Sequence, residues 1–232
     1  ETRFTPDSTR RPQVNIELFF APGACSFVPH AGLELIRQAT GQEFSPHMVK
    51  LHKGEQRTPE YLAVNPEGLV PALKVDGKPL TQIVAICTWL DREFPQVGLL
   101  PTDSWARAQA VSRFAWMNNT AHPTFTHVFM PHKFAETEAA QAEIKRVNVE
   151  LFRQHLDRIQ NWLAHASPWF CGERISFLDF YTLTLLRWGG FAGIDPESLP
   201  ALWAHVQKVA EHPAAAAAIE RERLQLNVYK KD

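Results

Sequence analysis

The first part of the chain mixes short apolar runs with helical periodicity. The apolar run at 14–20 predicts a largely buried strand, and the pattern from about residue 25 to 39 predicts a helix that Gly41 ends. A second strand is predicted over 44–51. Pro46 places this strand at a sheet edge, because proline cannot donate a hydrogen bond to a neighbouring strand.

Three further elements complete this region. Thr58 is placed to cap a short helix, with proline at its first position. The segment 72–81 predicts a hairpin with a two-residue Asp-Gly turn, and an apolar-rich helix follows over 82–93. The order β-α-β-α-β-β-α predicts a mixed sheet with helices packed on it.

The pattern of apolar and polar residues changes after residue 102. Strand patterns disappear, and long amphipathic helical runs take their place at about 104–121, 136–166, 176–189 and 199–211. Ser176 and Asp179 form a predicted capping box, and the alanine run at 214–218 is interpreted as a terminal helix without functional content.

The predicted organisation is an α/β domain over 14–95, a linker over 96–102 and an all-helical domain over 103–232. Residues 1–13 are polar, without the apolar core of a secretory signal, and are expected to form a flexible leader.

Composition and charge narrow the class of protein. The chain is 45% hydrophobic and 21% charged, as in ordinary folded domains. Its 24 basic and 25 acidic residues are evenly spread, which argues against nucleic acid or a membrane surface as a partner. No apolar run approaches the roughly 18 residues of a membrane helix. Three widely spaced cysteines indicate free thiols in a reducing compartment, hence a cytoplasmic protein, and no metal site.

Cys25 is the strongest candidate for chemistry because it lies where a strand turns into a helix. The positive end of the helix dipole favours the thiolate there, although a small buried hydrophobe is an equally good interpretation. Ser26 is an N-cap candidate and a potential donor to that thiolate. Cys87 and Cys171 do not lie at helix starts and are interpreted as structural.

Other candidates are weaker on the residues alone. Val70-Pro71 leads into a strand, and the general preference of such bonds is trans. The helix start at Gln82-Ile83 offers free amides to a carboxylate, as every helix start does. His122 recurs with two further histidines at five-residue spacing, which does not suit metal ligation from one helix face.

Together these pieces resemble the cytosolic glutathione transferases, and most closely the bacterial beta class. The resemblance runs from about residue 15 to 223. The segments that carry it are LFFAPGACS at 18–26, NPEGLVPAL at 65–73 and FCGERISFLD at 170–179. It implies a thioredoxin-like N-terminal domain, a helical C-terminal domain, a homodimer and glutathione as co-substrate. The second substrate is expected to be a small hydrophobic electrophile or a mixed disulfide, bound between the two domains.

The resemblance also assigns roles to residues. Val70-Pro71 matches the family's cis-proline site, where the residue before proline pairs through its backbone with the cysteinyl part of glutathione. Cys25 matches the cysteine that the beta class places at the glutathione sulfur. His122 aligns with the histidine that the second domain brings near the same sulfur. Gln82 and Ile83 match the γ-glutamyl site.

Three departures from the class pattern weaken the expected glutathione site. Phe20 stands where the class usually has tyrosine, Ile83 replaces a serine hydroxyl, and Pro123 replaces a lysine. Gln82 accepts from the ligand's ammonium only as a neutral group. Two interpretations therefore stay open: a glutathione enzyme acting by conjugation or thiol–disulfide exchange, and a transferase-fold protein that binds a ligand or partner with little glutathione chemistry.

Overall fold

A computed structural model describes residues 14–166 and 168–231. The expected leader at 1–13 lies outside the described residues. One four-stranded mixed sheet forms the centre of the N-terminal part, with strand order β2-β1-β3-β4. Its strands are β1 (Ile16–Phe20), β2 (Ser45–Met48), β3 (Ala72–Val75) and β4 (Lys78–Thr81).

The register of the sheet follows the apolar pattern. β1 pairs in parallel with β2 and antiparallel with β3, so that Leu18 lies opposite Leu73, and both are fully buried. β3 and β4 form the predicted hairpin, and its turn residues Asp76 and Gly77 both have positive φ, as a tight two-residue turn requires. β2 is an edge strand, which confirms the interpretation of Pro46.

The helices of this part cover the sheet and lead to the linker. They are α1 (Phe27–Thr40), α2 (Pro59–Leu62) and α3 (Ile83–Glu93). α1 ends at Gly41, whose φ of 75° is the left-handed conformation of a glycine cap. Thr58 caps α2 by accepting a hydrogen bond from the backbone N–H of Tyr61. This is the predicted thioredoxin-like arrangement.

The described elements after residue 102 are helical. They are α4 (Ser104–Trp116), α5 (His122–Phe129), α6 (Glu138–Leu163), α7 (Phe177–Phe191), α8 (Pro200–Glu211) and α9 (Pro213–Glu222). None of the described helices has the length and apolar character that crossing a membrane demands. The fold class predicted from the sequence is confirmed. The linker at 96–102 stays a prediction.

One helical path runs further than its sequence pattern predicts. A π-helical turn at Met117–Ala121 joins α4 to α5, so the path continues past residue 121 to Phe129. The wider turn accommodates Pro123, which has no backbone N–H to donate to the preceding turn. His122 is therefore the first residue of α5, at an irregular point of the helix.

The two parts share one core through α1. This helix packs against the sheet on one side and against α7 and α9 on the other. Gly32 is the closest approach, because a Cβ there would collide with the ring of Phe177. At the start of α7, the buried carboxylate of Asp179 accepts from the backbone N–H of Ser176 at 2.7 Å, as the predicted capping box requires.

Candidate active site

Cys25 lies in the turn between β1 and α1, and its side chain faces the loop before β3. It is 7% exposed, and its Sγ donates to the carbonyl oxygen of Val70 at 3.6 Å. Burial raises the pKa of the thiol to about 12, although the amides of Cys25 and Ser26 lower it. This shift opposes the thiolate that the helix start favours, because desolvation is the largest contribution to it. The thiolate at Cys25 stays a prediction.

Ser26 stabilises the turn rather than the helix. Its fully buried Oγ accepts from the backbone N–H of Ala21 at 3.1 Å and donates to the carbonyl oxygen of Ala21 at 3.2 Å. Ser26 occupies the N-cap position of α1, as predicted, but with helical φ and ψ and without a capping hydrogen bond from its side chain. Donation to a thiolate, which stays a prediction, requires this hydroxyl to rotate.

The peptide bond between Val70 and Pro71 is cis, as the family resemblance implied and the general preference did not. The loop before it is held at the carbonyl oxygen of Leu69. That oxygen accepts from the hydroxyl of Tyr61 at 2.6 Å and from the side-chain amide of Asn65 at 2.7 Å. These two bonds fix the backbone of Val70 where it faces Cys25.

Gln82 and Ile83 stand at the start of α3. Gln82 has a φ of 72°, a conformation that a residue with a side chain adopts at a cost of about 1–3 kcal/mol and that is concentrated at functional sites. Its side-chain nitrogen donates to a carboxylate oxygen of Glu67 at 3.3 Å. Sequence reasoning missed Glu67, which places a negative charge beside the neutral Gln82.

His122 faces the body of α7. Its Nδ1 lies 2.9 Å from the hydroxyl of Tyr181, which itself donates to Oδ1 of Asn118 at 3.3 Å. This chain of bonds assigns the ring proton to Nδ1 and leaves Nε2 as an acceptor. Burial lowers the pKa of His122 to about 4, so the ring is neutral at pH 7.

The turn before Cys25 is held by the helical part of the chain at a single residue. The backbone N–H of Gly23 donates to Oε2 of Glu222 at 2.8 Å, and the indole N–H of Trp188 donates to the carbonyl oxygen of Gly23 at 2.9 Å. The ring of Trp188 also contacts His122, with centroids 4.7 Å apart. Trp188 thus joins the Cys25 turn to the histidine of the second part.

Glu222 lies beyond the alanine run of the terminal helix, and sequence reasoning missed it. It ends α9, is buried, and holds Nδ1 of His30 at 2.7 Å in addition to Gly23. The available signal was an acid on the apolar face of a helix, since a buried carboxylate needs partners. Trp188 carried no comparable signal among seven tryptophans.

The other cysteines lie away from this site or deeper in the core. Cys87 is fully buried in α3, and burial raises the pKa of its thiol. Cys171 lines a cavity of about 280 Å³ together with Arg113 and Phe170. Their structural roles stay predictions. Within the described residues, no three His, Cys, Asp or Glu side chains are grouped so that they could hold a metal ion.

Comparison with known proteins matches this geometry to one family. The sequence profile of the glutathione S-transferase N-terminal domain matches residues 32–93, and that of the C-terminal domain matches residues 117–213. The glutathione S-transferase GstA of Escherichia coli O157:H7 is 33% identical, over 90% of this chain and 100% of its own length. The chain belongs to the glutathione S-transferase family.

Solved glutathione S-transferases share the fold along their whole length. The enzyme from Xylella fastidiosa superposes with a TM-score of 0.81 at 30% identity, covering 91% of this chain and all of its own. A sphingomonad glutathione S-transferase, solved in complex with glutathione, superposes with a TM-score of 0.75 at 33% identity. The match covers 90% of this chain and 100% of the sphingomonad chain.

Two departures of this transferase from the beta-class pattern have a structural context. Phe20 is buried, with its ring 4.8 Å from that of His30, so it contributes to the core beside the His30–Glu222 pair. Pro123 occupies the first turn of α5, and its carbonyl oxygen lies 2.6 Å from Nδ1 of His127.

Proposed function

We propose that this protein is a glutathione transferase that conjugates the glutathione thiolate to small hydrophobic electrophiles bound between the two domains. The observation that carries the proposal is the Cys25 Sγ to Val70 oxygen contact of 3.6 Å. It brings the candidate sulfur partner against the backbone that is expected to pair with the cysteinyl part of glutathione. Relatives solved with bound glutathione support the choice of co-substrate.

Glutathione would lie across the edge of the N-terminal sheet. The backbone of Val70 would pair with its cysteinyl part, and the first amides of α3, at Ile83, would receive the γ-glutamyl carboxylate. Gln82 would accept from the ammonium, with Glu67 adding the negative charge that Gln82 lacks.

Two residues would act on the glutathione sulfur in the proposed reaction, one as a proton acceptor and one as a hydrogen-bond donor. His122 is neutral at pH 7 and would accept the glutathione thiol proton on Nε2 before passing it to water. The Cys25 S–H would donate to the resulting thiolate. The sulfur then forms a bond to the electrophilic carbon, and the bond to the leaving group breaks with its electron pair.

The protonation of Cys25 favours conjugation over thiol–disulfide exchange. Exchange needs Cys25 itself as the nucleophile, and only the thiolate attacks. With the pKa of its thiol raised to about 12, Cys25 is a poor source of thiolate at pH 7. A neutral thiol remains a good hydrogen-bond donor to a bound thiolate.

Titration calorimetry with glutathione on the fully reduced protein tests this function, followed by conjugation assays on two variants. We expect micromolar to low millimolar binding. Cys25→Ser should retain conjugation, because a hydroxyl still donates, whereas Cys25→Ala should lose about tenfold or more in kcat/KM. No binding at several millimolar would contradict the proposal and favour the ligand-binding alternative. Unchanged activity in Cys25→Ala would remove Cys25 from the mechanism.

We also propose that the transferase is a cytoplasmic homodimer. Family membership supports the dimer, and the three free cysteines within the described residues support a reducing compartment. Light scattering on the reduced protein should give twice the chain mass of 26.3 kDa. A mass that stays at the monomer value up to high micromolar concentration would contradict the dimer.

A further inference from the structure

The imidazole of His122 is held between an aromatic ring and a tyrosine hydroxyl. The ring of Trp188 packs against it with centroids 4.7 Å apart, and the indole N–H of Trp188 donates to the carbonyl oxygen of Gly23 at 2.9 Å. Nδ1 of the imidazole lies 2.9 Å from the hydroxyl oxygen of Tyr181. These contacts hold the ring in one position relative to the turn that presents Cys25.

Tyr181 makes its contact from the interior of α7. Its side chain is fully buried, and the ring of Phe114 packs edge-on against it with centroids 5.7 Å apart. Burial raises the pKa of the hydroxyl, so Tyr181 keeps its proton at neutral pH. A buried hydroxyl proton needs an acceptor, and Tyr181 donates it to Oδ1 of Asn118 at 3.3 Å.

The direction of that hydrogen bond determines the tautomer of His122. A hydroxyl has one proton, so a tyrosine that donates to Asn118 can only accept at Nδ1 of His122. Nδ1 must then carry the ring proton, and a neutral imidazole has its lone pair on Nε2. The opposite tautomer would place the Nδ1 lone pair beside a hydroxyl that has no proton left to donate.

Nε2 of His122 is open to a ligand. Its ring is bonded to the described residues through Nδ1 and not through Nε2. Among those residues, the buried side-chain nitrogens and oxygens that lack a partner are Nε2 of His30 and Oε1 of Gln56, so Nε2 of His122 is not enclosed. Its lone pair is therefore available to the proton of a bound thiol.

We propose that Tyr181 is a positioning residue of the conjugation reaction, which holds His122 in the tautomer whose Nε2 accepts the glutathione thiol proton. Asn118 sets the direction of the contact by accepting the tyrosine proton. The inference rests on the proposed function, in which the thiol proton moves to Nε2 and the S–H electron pair stays on sulfur. Once His122 holds both protons, its Nδ1–H still donates to Tyr181, so one contact serves both charge states of the ring.

Nitrogen NMR of protein labelled in its histidine rings tests the tautomer without any substrate. We expect a protonated Nδ1 and an unprotonated Nε2 for His122 in the wild type at pH 7, with the signals assigned by their absence in His122→Gln. Tyr181→Phe keeps the aromatic ring, removes the hydroxyl and should move His122 toward the Nε2–H form. His127 is the internal control. Its Nδ1 lies 2.6 Å from the carbonyl oxygen of Pro123, which can only accept, so its Nδ1–H signal should be the same in both proteins.

Asn118 gives an independent test of the same tautomer. Asn118→Ala frees the hydroxyl of Tyr181 to donate to Nδ1, so it should also move His122 toward the Nε2–H form. Asn118→Asp keeps an acceptor for the tyrosine proton and should retain the wild-type tautomer. This pair carries the comparison if Tyr181→Phe does not fold. A protonated Nε2 in the wild type, or a tautomer unchanged in both Tyr181→Phe and Asn118→Ala, would overturn the inference.

A double-mutant cycle tests whether Tyr181 acts through His122. We expect Tyr181→Phe to lower kcat for conjugation of 1-chloro-2,4-dinitrobenzene by about tenfold, with the KM for glutathione changed by less than about twofold. In the His122→Gln background the same substitution should cause no further loss. Tyr229→Phe, in the segment after α9, is the matched control and should leave kcat unchanged.

The outcomes separate this inference from the proposed function. Equal losses from Tyr181→Phe in the wild-type and His122→Gln backgrounds would show a structural role and overturn the inference, while conjugation itself stands. If the wild type does not conjugate, the proposed function fails and the role of Tyr181 in the reaction fails with it. The NMR measurement then still shows whether Tyr181 sets the tautomer of His122, because it uses no substrate.

Discussion

Glu222, the last residue of α9, accepts a hydrogen bond from the backbone N–H of Gly23, 199 residues earlier in the chain. The same carboxylate holds Nδ1 of His30 at 2.7 Å, and both side chains are fully buried. The helical part of the chain therefore positions the turn that presents Cys25. Stability and the geometry of the candidate active site depend on the same buried group.

Removing this carboxylate should destabilise the protein. In Glu222→Ala the Gly23 N–H and the buried His30 lose their partner, and we expect a loss of about 3–5 kcal/mol in the free energy of unfolding. Urea denaturation followed by circular dichroism measures it. Glu220→Ala, at an exposed position of the same helix, is the control and should change stability by about 0.5 kcal/mol or less. A loss below about 1 kcal/mol in Glu222→Ala would show that these hydrogen bonds contribute little to the free energy of unfolding.

His122 should make the protein less stable in acid. Burial lowers its pKa to about 4, below the ordinary value of 6.5. Between these pH values the unfolded chain therefore binds a proton at His122 that the folded protein does not bind. The free energy of unfolding decreases as the pH falls from 6.5 toward 4. The loss attributable to this residue, complete below pH 4, is on the order of 3 kcal/mol.

Urea midpoints at pH 7 and pH 4.5 check this expectation. His122→Gln should lose less stability between the two pH values than the wild type does, because glutamine does not titrate. His132→Gln, at an exposed position, should retain the wild-type dependence. If the wild type and His122→Gln lose the same stability between pH 7 and pH 4.5, His122 is not the source of the acid sensitivity.

Cys25 should be slow to alkylate in the folded, ligand-free protein. Its thiol is buried and its pKa is raised to about 12, and the thiolate is the reactive form. We expect modification by iodoacetamide at pH 7.5 to be at least about a hundredfold slower than that of free glutathione. Peptide mass spectrometry over time gives the rate, and alkylation of the urea-unfolded chain is the control. A native rate close to the unfolded rate would mean that the thiol is ionised and would favour exchange chemistry.

Glu67 should contribute to glutathione affinity through the ligand's ammonium. It lies 3.3 Å from the side-chain nitrogen of Gln82, and its charge would act on the γ-glutamyl amine. We expect Glu67→Gln to weaken binding by about tenfold. Glu60→Gln, another exposed acid of the same region, should leave it unchanged.

An analogue of glutathione without the amine sharpens this measurement. It should bind the wild type more weakly than glutathione does, and it should lose little further affinity in Glu67→Gln, because the interaction is already absent. Calorimetry on both proteins with both ligands gives the coupling. Equal losses for the two ligands would show that Glu67 acts through loop structure and not through the ammonium.

The sequence by itself determined the secondary-structure elements and most of the candidate site residues. The apolar run at 14–20 predicts the buried strand β1, Gly41 ends α1, and Asp76-Gly77 forms the hairpin turn. Each of these depends on residues within a few positions along the chain. The family motifs further identified the cis bond at Val70-Pro71, which local preference alone would have made trans.

Only the tertiary structure decided how the site residues are held and charged. The helix start at Cys25 favours a thiolate, yet burial under the rest of the fold raises the pKa of that thiol. Gly23 is held by Trp188 and Glu222, which lie 165 and 199 residues away. Backbone propensity is a local property, whereas desolvation and the partners of buried polar groups are set by whichever distant residues the fold brings together.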